Sequence, residues 1–230
     1  CETVIDEHTA LVSCMQVSNE TGAIQPIEAL AKLARRKNPN VCVHVDGVQG
    51  FMRVPMHMER MGVDLYALSG HKIHGPKGIG VLAVRPGVRL IPQITGGGQE
   101  KGLRSGTYNS PAILGLGEAV KTFAADRDAV GRMRAMKAHL WTVLSEEDGI
   151  RLNGPKPGET DSAPHILSLS FDGVRGEVMR NALEGEGVLV STGSACASHK
   201  QKVSPTLRAM GLSQAQADGT VRVSLGAMNT

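Results

Sequence analysis

No apolar run in this chain approaches the roughly 20 residues that a helix needs to cross a bilayer. The first residues also lack the basic-then-apolar layout of a signal peptide. Neither membrane insertion nor export is expected from such segments, and the composition reads as that of a soluble, globular protein. An excess of one charge is missing too: 25 Lys and Arg stand against 22 Asp and Glu, a net +3 spread over 230 residues. That surplus is too weak and too scattered to argue for a nucleic-acid or anionic-membrane partner. Cysteines are few, at positions 1, 14, 42 and 196, and no Cys-x-x-Cys pair occurs. A disulfide framework and a zinc site are therefore not suggested, and a reducing cytoplasm is the expected compartment. There is no internal repeat and no low-complexity tract.

What is present can build a core, since 41% of the residues are hydrophobic, enough for one large domain or two small ones. Short apolar runs alternate with helical patterns: a strand over 10–17, a helix over 26–37, and strands over 41–45 and 64–69. This βαβ rhythm favours an α/β fold with a parallel sheet whose ligands sit at the carboxyl ends of the strands. Asn19, Asp46 and Ser69 all lie just past such ends. Residues 78–84 read as a further strand, and Gly75-Pro76 stops any helix begun near Lys72. Residues 95–107 form a long glycine-rich loop, of a kind that usually carries function. From Pro111 to about Leu144 the periodicity predicts one long helix bridging two lobes, with a domain boundary near residue 123, giving 1–122 and 123–230. In the second part a strand over 165–171, a helix over 175–185 and a strand over 187–191 make a small α+β lobe. Cys1 is not a methionine and 11–17 already reads as a buried strand, so the chain is expected to begin within a domain.

Two segments carry chemistry. Lys72 stands in Ser69-Gly70-His71-Lys72-Ile73-His74-Gly75-Pro76-Lys77-Gly78, downstream of Val45-Asp46-Gly47-Val48-Gln49. A lysine forms an imine with an aldehyde only through its neutral amine, so it needs surroundings that lower its pKa from about 10.4. A carboxylate at a strand end can hold the ring nitrogen of pyridoxal phosphate (PLP) protonated, which makes the ring an electron sink. Asp46 is the candidate for that acid. On the residues alone, Lys72 and Lys77 could equally be solvated turn residues, and Asp46 could simply cap a turn through an Asx bond. Gly75 to Gly80 matches neither the P-loop spacing nor a dinucleotide fingerprint. The second segment is Ser191-Thr192-Gly193-Ser194-Ala195-Cys196-Ala197-Ser198-His199-Lys200, where small residues flank a thiol and Lys200 and Lys202 favour its thiolate. Cys196 reads as a nucleophile on a loop that can swing, or else as a small buried hydrophobe. A metal at Cys196 and His199 lacks further ligands at usual spacing. Asn19-Glu20-Thr21-Gly22 is a possible helix-capping loop. Arg222, alternating with apolar neighbours in 220–224, is either a solvated strand residue or a clamp for a carboxylate.

Four segments in register, Val45-Asp46-Gly47-Val48-Gln49, Ser69-Gly70-His71-Lys72, Arg104-Ser105-Gly106-Thr107 and Ser191 to Cys196, resemble the cysteine desulfurases, PLP enzymes of the class V aminotransferase group. The resemblance runs across nearly the whole chain. It implies the PLP-dependent transferase type I fold, a mostly parallel sheet flanked by helices, with a smaller α+β C-terminal domain carrying a mobile cysteine loop. It implies that Lys72 holds the cofactor as an imine, Asp46 pairs with the pyridinium nitrogen, and Gln49 hydrogen-bonds the ring oxygen near Asn19. Ser69 and His71 would bind the phosphate, joined by Thr107 from a partner subunit, hence a homodimer. Arg222 would grip the substrate carboxylate beside Asn19. The implied reaction converts L-cysteine to L-alanine, leaving a persulfide on Cys196 for a sulfur acceptor such as an iron–sulfur cluster scaffold or a tRNA-thiolating enzyme. The spacing from Cys196 to Arg208 resembles the family branch with the long loop. Family members carry a phosphate-cradling loop and a ring-stacking histidine upstream of the position of Asn19, and a closing helix beyond that of Leu225-Gly226. Neither stands in this sequence, so an N-terminal part is expected to be lacking or to reside on another chain. The alternatives are a selenocysteine lyase, a class V transaminase in which Cys196 is incidental, or an inactive truncated or split subunit.

Overall fold

In the computed structural model, which describes residues 2–192 and 204–230, alternate residues of short apolar segments turn to one side and build the first core. β1 (Leu11–Met15), β2 (Cys42–Asp46), β3 (Leu65–Ser69) and β4 (Gly80–Val84) form a sheet in that order. β1, β2 and β3 run parallel, and β4 returns antiparallel to β3. Val43, Val45 and Tyr66 are buried with Ile27, Ala31 and Ala34 of α1 (Ile27–Lys37), the crossover between β1 and β2. The spacing of those three helical residues places them on one stripe, the period a helix needs to cover a sheet. Arg35, Arg36 and Lys37 close the last turn of α1, where cations oppose the helix dipole.

Asp64, 2% exposed, ties these elements together at the start of β3. Its Oδ2 accepts the Val43 N–H at 2.8 Å and Arg35 Nη2 at 2.8 Å, and Arg85, just past β4, pairs with Oδ1. A buried carboxylate is tolerable only when paired, and here Oδ2 is hydrogen-bonded while Oδ1 has the Arg85 charge but no hydrogen bond. A short helix, α2 (Met58–Met61), lies between β2 and β3, and α3 (Ser110–Ala125) follows the glycine-rich loop, its Asn109 side chain capping Ala112 N–H at 3.2 Å.

The described chain divides into two compact units: residues up to Gln16 with Pro26–Asp126, and Val17–Gln25 with the chain from Arg127 onward. In the second, β5 (Ile150–Leu152), β6 (Ile166–Phe171) and β7 (Thr220–Ser224) form an antiparallel sheet with β6 in the middle. α4 (Ala129–Leu144), α5 (Gly176–Gly185), α6 (Pro205–Ala209) and α7 (Gln214–Asp218) complete it. Ile166 to Ser170 are all buried, so the serines of β6 need partners. They find them in Asn153 Nδ2, which donates to Ser170 Oγ at 2.8 Å, and Thr220 Oγ1, 2.8 Å from Ser170 Oγ. Lys137 of α4 is 2% exposed and donates to Ser162 Oγ at 2.7 Å and to the Ala163 carbonyl at 2.8 Å. Burial pushes its pKa down to about 8.

Two expectations from the sequence fail. The single helix expected over 111–144 is two, α3 and α4, interrupted at 126–128. Asp126 and Asp128, residues of low helix propensity, stand at the break, and apolar periodicity is blind to them. The strand expected over 187–191 is reduced to one bridge, in which Ser191 and Arg222 exchange hydrogen bonds of 3.1 and 2.7 Å.

Asp64→Ala should lower the free energy of urea unfolding by about 3 kcal/mol, because a buried N–H and the Arg35 guanidinium lose their acceptor and Arg85 loses its counterion. Lys32→Ala, which removes the exposed Lys32–Glu28 pair, should change it by less than about 0.5 kcal/mol. Lys137 makes stability depend on pH. The folded chain releases this proton near pH 8, whereas an unfolded lysine keeps it to 10.5. The cost of the buried ammonium is therefore fully present below pH 8 and is relieved as pH rises towards 10.5. Urea midpoints measured at pH 8 and 10 should show a smaller gain in Lys137→Met than in the parent.

Candidate active site

Parallel pairing brings the carboxyl ends of β1, β2 and β3 to one edge, with Met15, Asp46 and Ala67 in register. Asp46 ends β2 on the side opposite the buried Val45 and is half-buried. Its Oδ1 accepts the Val48 N–H at 2.9 Å, so the Asx turn weighed from the sequence is formed. That bond uses one oxygen. Oδ2 takes no hydrogen bond from the described residues and is free for another donor. Gln49 follows in the same turn.

One strand over, β3 runs into the 3-10 turn Gly70–Ile73, which stops at His74 in the left-handed region, φ 65°. Ser69 Oγ and His71 Nδ1 lie 2.7 Å apart, His71 is exposed, and Lys72 is half-buried. The same edge thus gathers a carboxylate with one open oxygen, a primary amine, and a hydroxyl–imidazole pair. Thr107 is exposed in the loop between the 3-10 turn Glu100–Gly102 and α3. That loop is closed on itself by Gly106 N–H to Gln99 Oε1 at 2.9 Å and Gly98 N–H to Ser105 Oγ at 3.3 Å.

In the second unit, Arg222 lies on β7 and donates through Nη1 to the Asn19 carbonyl at 2.8 Å, joining two expected substrate residues 203 positions apart in sequence. Cys196, with His199 and Lys200, lies outside the described residues.

Three residues that the sequence reading passed over support the Asp46 turn. Gln16, 2% exposed, accepts the Tyr66 hydroxyl at 2.8 Å and donates through Nε2 to the carbonyls of Val54 and Pro55 at 3.4 and 3.2 Å. Burial, reinforced by the charge of Asp46, pushes the Tyr66 phenol well above its ordinary pKa of 10.0, so it stays a donor. Gly47 is required here, since a Cβ on it would fall 1.9 Å from Tyr66 Cζ. The third is Arg53, 6% exposed, whose Nη2 donates to the Lys72 carbonyl. Its sequence signal was a lone cation in Phe51-Met52-Arg53-Val54-Pro55-Met56.

The family model described as Aminotransferase class-V matches residues 1–230. The chain belongs to that family. Its enzymes depend on PLP, and the groups at the sheet edge fit such a cofactor: an amine for the aldehyde, a carboxylate with an unused oxygen for the ring nitrogen, and a hydroxyl and an imidazole for a phosphate. Among class V relatives, cysteine desulfurase IscS of Pectobacterium carotovorum is 40% identical over 232 residues, covering all of this chain and 56% of that protein. The NifS/IcsS protein homolog of Lactobacillus delbrueckii is 39% identical, covering all of this chain and 59% of its own length. A solved NifS-like protein superposes with a TM-score of 0.88 at 39% identity, over all of this chain and 59% of the other. The cysteine desulfurase CsdA of Escherichia coli does so at 0.78 and 26%, over 99% and 57%. The chain therefore spans somewhat more than half the length of the relatives it matches. Among the described residues, no group of histidine, cysteine and acidic side chains could hold a metal ion, and no helix is long and apolar enough to cross a membrane.

Gly47→Ala should cost about 2 kcal/mol or more through overpacking against Tyr66. A fall of several degrees in thermal midpoint would report it, and Gly78→Ala offers a contrast, being strained at φ 80° but with open space around it.

Proposed function

We propose that this chain carries the PLP-binding and sulfur-transfer residues of a cysteine desulfurase. The observation that supports this reading most is the convergence of Asp46, Ser69, His71 and Lys72 on one sheet edge, in a chain matched along its whole length by desulfurases. Bound PLP supplies an electron sink for the Cα carbanion of an amino acid. Asp46 Oδ2 is the partner of the ring nitrogen, and Gln49 and Asn19 are assigned to the ring oxygen. Ser69, His71 and, from a second copy in a homodimer, Thr107 are assigned to the phosphate. Arg222 pairs with the carboxylate of L-cysteine.

The Lys72 amine takes the Cα proton and is the local store from which it is returned. Cys196, as thiolate, attacks the sulfur of the substrate. An S–S bond forms as the Cβ–S bond breaks, its electron pair passes to the carbon skeleton, and two protons complete L-alanine and the persulfide. The sum is L-cysteine plus thiol giving L-alanine plus persulfide, with no outside oxidant. A sulfur acceptor, of the iron–sulfur scaffold or tRNA-thiolating kind, then takes the terminal sulfur in the cytoplasm. In this reading 1–122 supplies most cofactor ligands and 123–230 carries Cys196 and Arg222.

The test is titration with PLP followed by borohydride reduction and peptide mass spectrometry. A pyridoxyl group on Lys72, absent in Lys72→Ala, is the expected result, and an unlabelled parent chain would reject the reading. With L-cysteine supplied, Cys196→Ala should lose persulfide formation by at least about a hundredfold while keeping the label on Lys72.

A further inference from the structure

Arg53 is buried and, among the described residues, a cation without a counterion. Among the described residues no carboxylate pairs with it, its Nε and Nη1 are buried without a hydrogen-bond partner, and its guanidinium lies 5.8 Å over the Phe123 ring of α3. Burial lowers its pKa to about 10, so it remains charged at neutral pH. An apolar side chain of similar volume would fill that space without the desolvation cost. Packing alone thus gives no reason for an arginine. Its position does: among the described residues the one acceptor it finds is the carbonyl of Lys72.

The turn that bears Arg53 starts at the acid. Gly50 and Phe51 N–H both return to the Gly47 carbonyl, at 2.9 and 2.8 Å, and Arg53 and Val54 N–H both return to Gly50, at 2.9 and 2.8 Å. Gln16 holds the far end through Val54 and Pro55, and it sits so close that a Cβ on Gly50 would fall 2.0 Å from its Oε1. Met52 adopts φ 62°, a conformation costly for a residue with a side chain, immediately before Arg53. Eight residues, 46–53, therefore run from the acid to the group that grips the backbone of the amine, and the grip lies on a stretch held rigidly at both ends.

We infer that Arg53 is a positioning residue for the site: its hydrogen bond to the Lys72 carbonyl couples the lysine turn to the Asp46 turn and so fixes where the amine stands relative to the acid. This rests on the reading of Lys72 and Asp46 as PLP partners. The backbone of the lysine turn is otherwise held by Gly70 N–H to Ile79 and by the N–H groups of His74 and Gly75 to the Gly70 carbonyl, and the buried Ile73 side chain anchors it in the core, but none of these reaches the Asp46 turn. Phe123 supplies the flat support that orients the guanidinium.

The full chain and its Arg53→Met and Arg53→Lys variants are compared in two measurements. In amide hydrogen exchange without PLP, Arg53→Met should exchange about tenfold faster at His74 and Gly75, the size expected for one charge-assisted hydrogen bond, with Val43 to Val45 unchanged. At the PLP concentration that half-labels the parent on borohydride reduction, labelling of Lys72 should fall severalfold, and Arg53→Lys should restore part of both effects. Parent-like exchange and labelling in Arg53→Met would overturn the inference. Should that variant not fold, Phe123→Leu decides instead: faster exchange at 74–75 with weaker labelling supports the clamp, and parent behaviour in both removes it. The two failures differ, since a parent chain that never labels Lys72 rejects the cofactor reading, whereas unaltered exchange rejects the clamp.

Discussion

The register of the parallel strands is the constraint on which the rest depends. With Met15, Asp46 and Ala67 aligned, β1 and β2 end together and β3 runs two residues further to Ser69, so the turns that follow project from a common edge. Pleating makes the choice all-or-none: a slip of one residue would turn Asp46 into the core with Ile27 and Ala34, and put Val45 in its place. The apolar burial of Val43 and Val45 against α1 is thus also what orients the acid. Asp64 reinforces the register from the opposite end, since its carboxylate and backbone hold β2, α1 and the end of β4 at once.

Above that frame the site is built by turns, and each is locked by side chains that carry no chemistry of their own. Tyr66 and Gln16 form a buried hydrogen-bonded pair beneath Gly47 and Gly50, and both glycines leave only the room those side chains fill. The acid is therefore held by packing as much as by hydrogen bonds. Such support is what keeps a constellation of catalytic groups within the narrow tolerance that chemistry demands.

Much of this was legible in the sequence, for definite reasons. The strands over 41–45 and 64–69, the helix over 26–37 and the strand over 165–171 announce themselves through period 2, period 3.6 and apolar runs, and each forms within a residue or two of its expected place. Asn19, Asp46 and Ser69 were expected past strand ends, where ligand groups of α/β folds gather, and Asp46 and Ser69 do close β2 and β3. What was not legible depended on contacts between residues far apart in the chain. Tyr66 reads as an ordinary core aromatic until Gln16, 50 residues earlier, is found on its hydroxyl. Arg53 drew no reading from the sequence, since a lone cation gives no sign there that it is buried. The break at 126–128 was lost because two aspartates do not disturb a hydrophobic period, and the strand over 187–191 was overcalled because its apolar run finds a partner only at Ser191.

The Ser191–Arg222 bridge has a geometric corollary. Both backbone bonds of that pair anchor Ser191 to the central stretch of β7, on the residue assigned to a carboxylate. Five peptide units separate Ser191 from Cys196, and a fully extended chain gains at most about 3.6 Å per unit. Chain length alone therefore limits any position five residues beyond Ser191 to roughly 18 Å from that anchor.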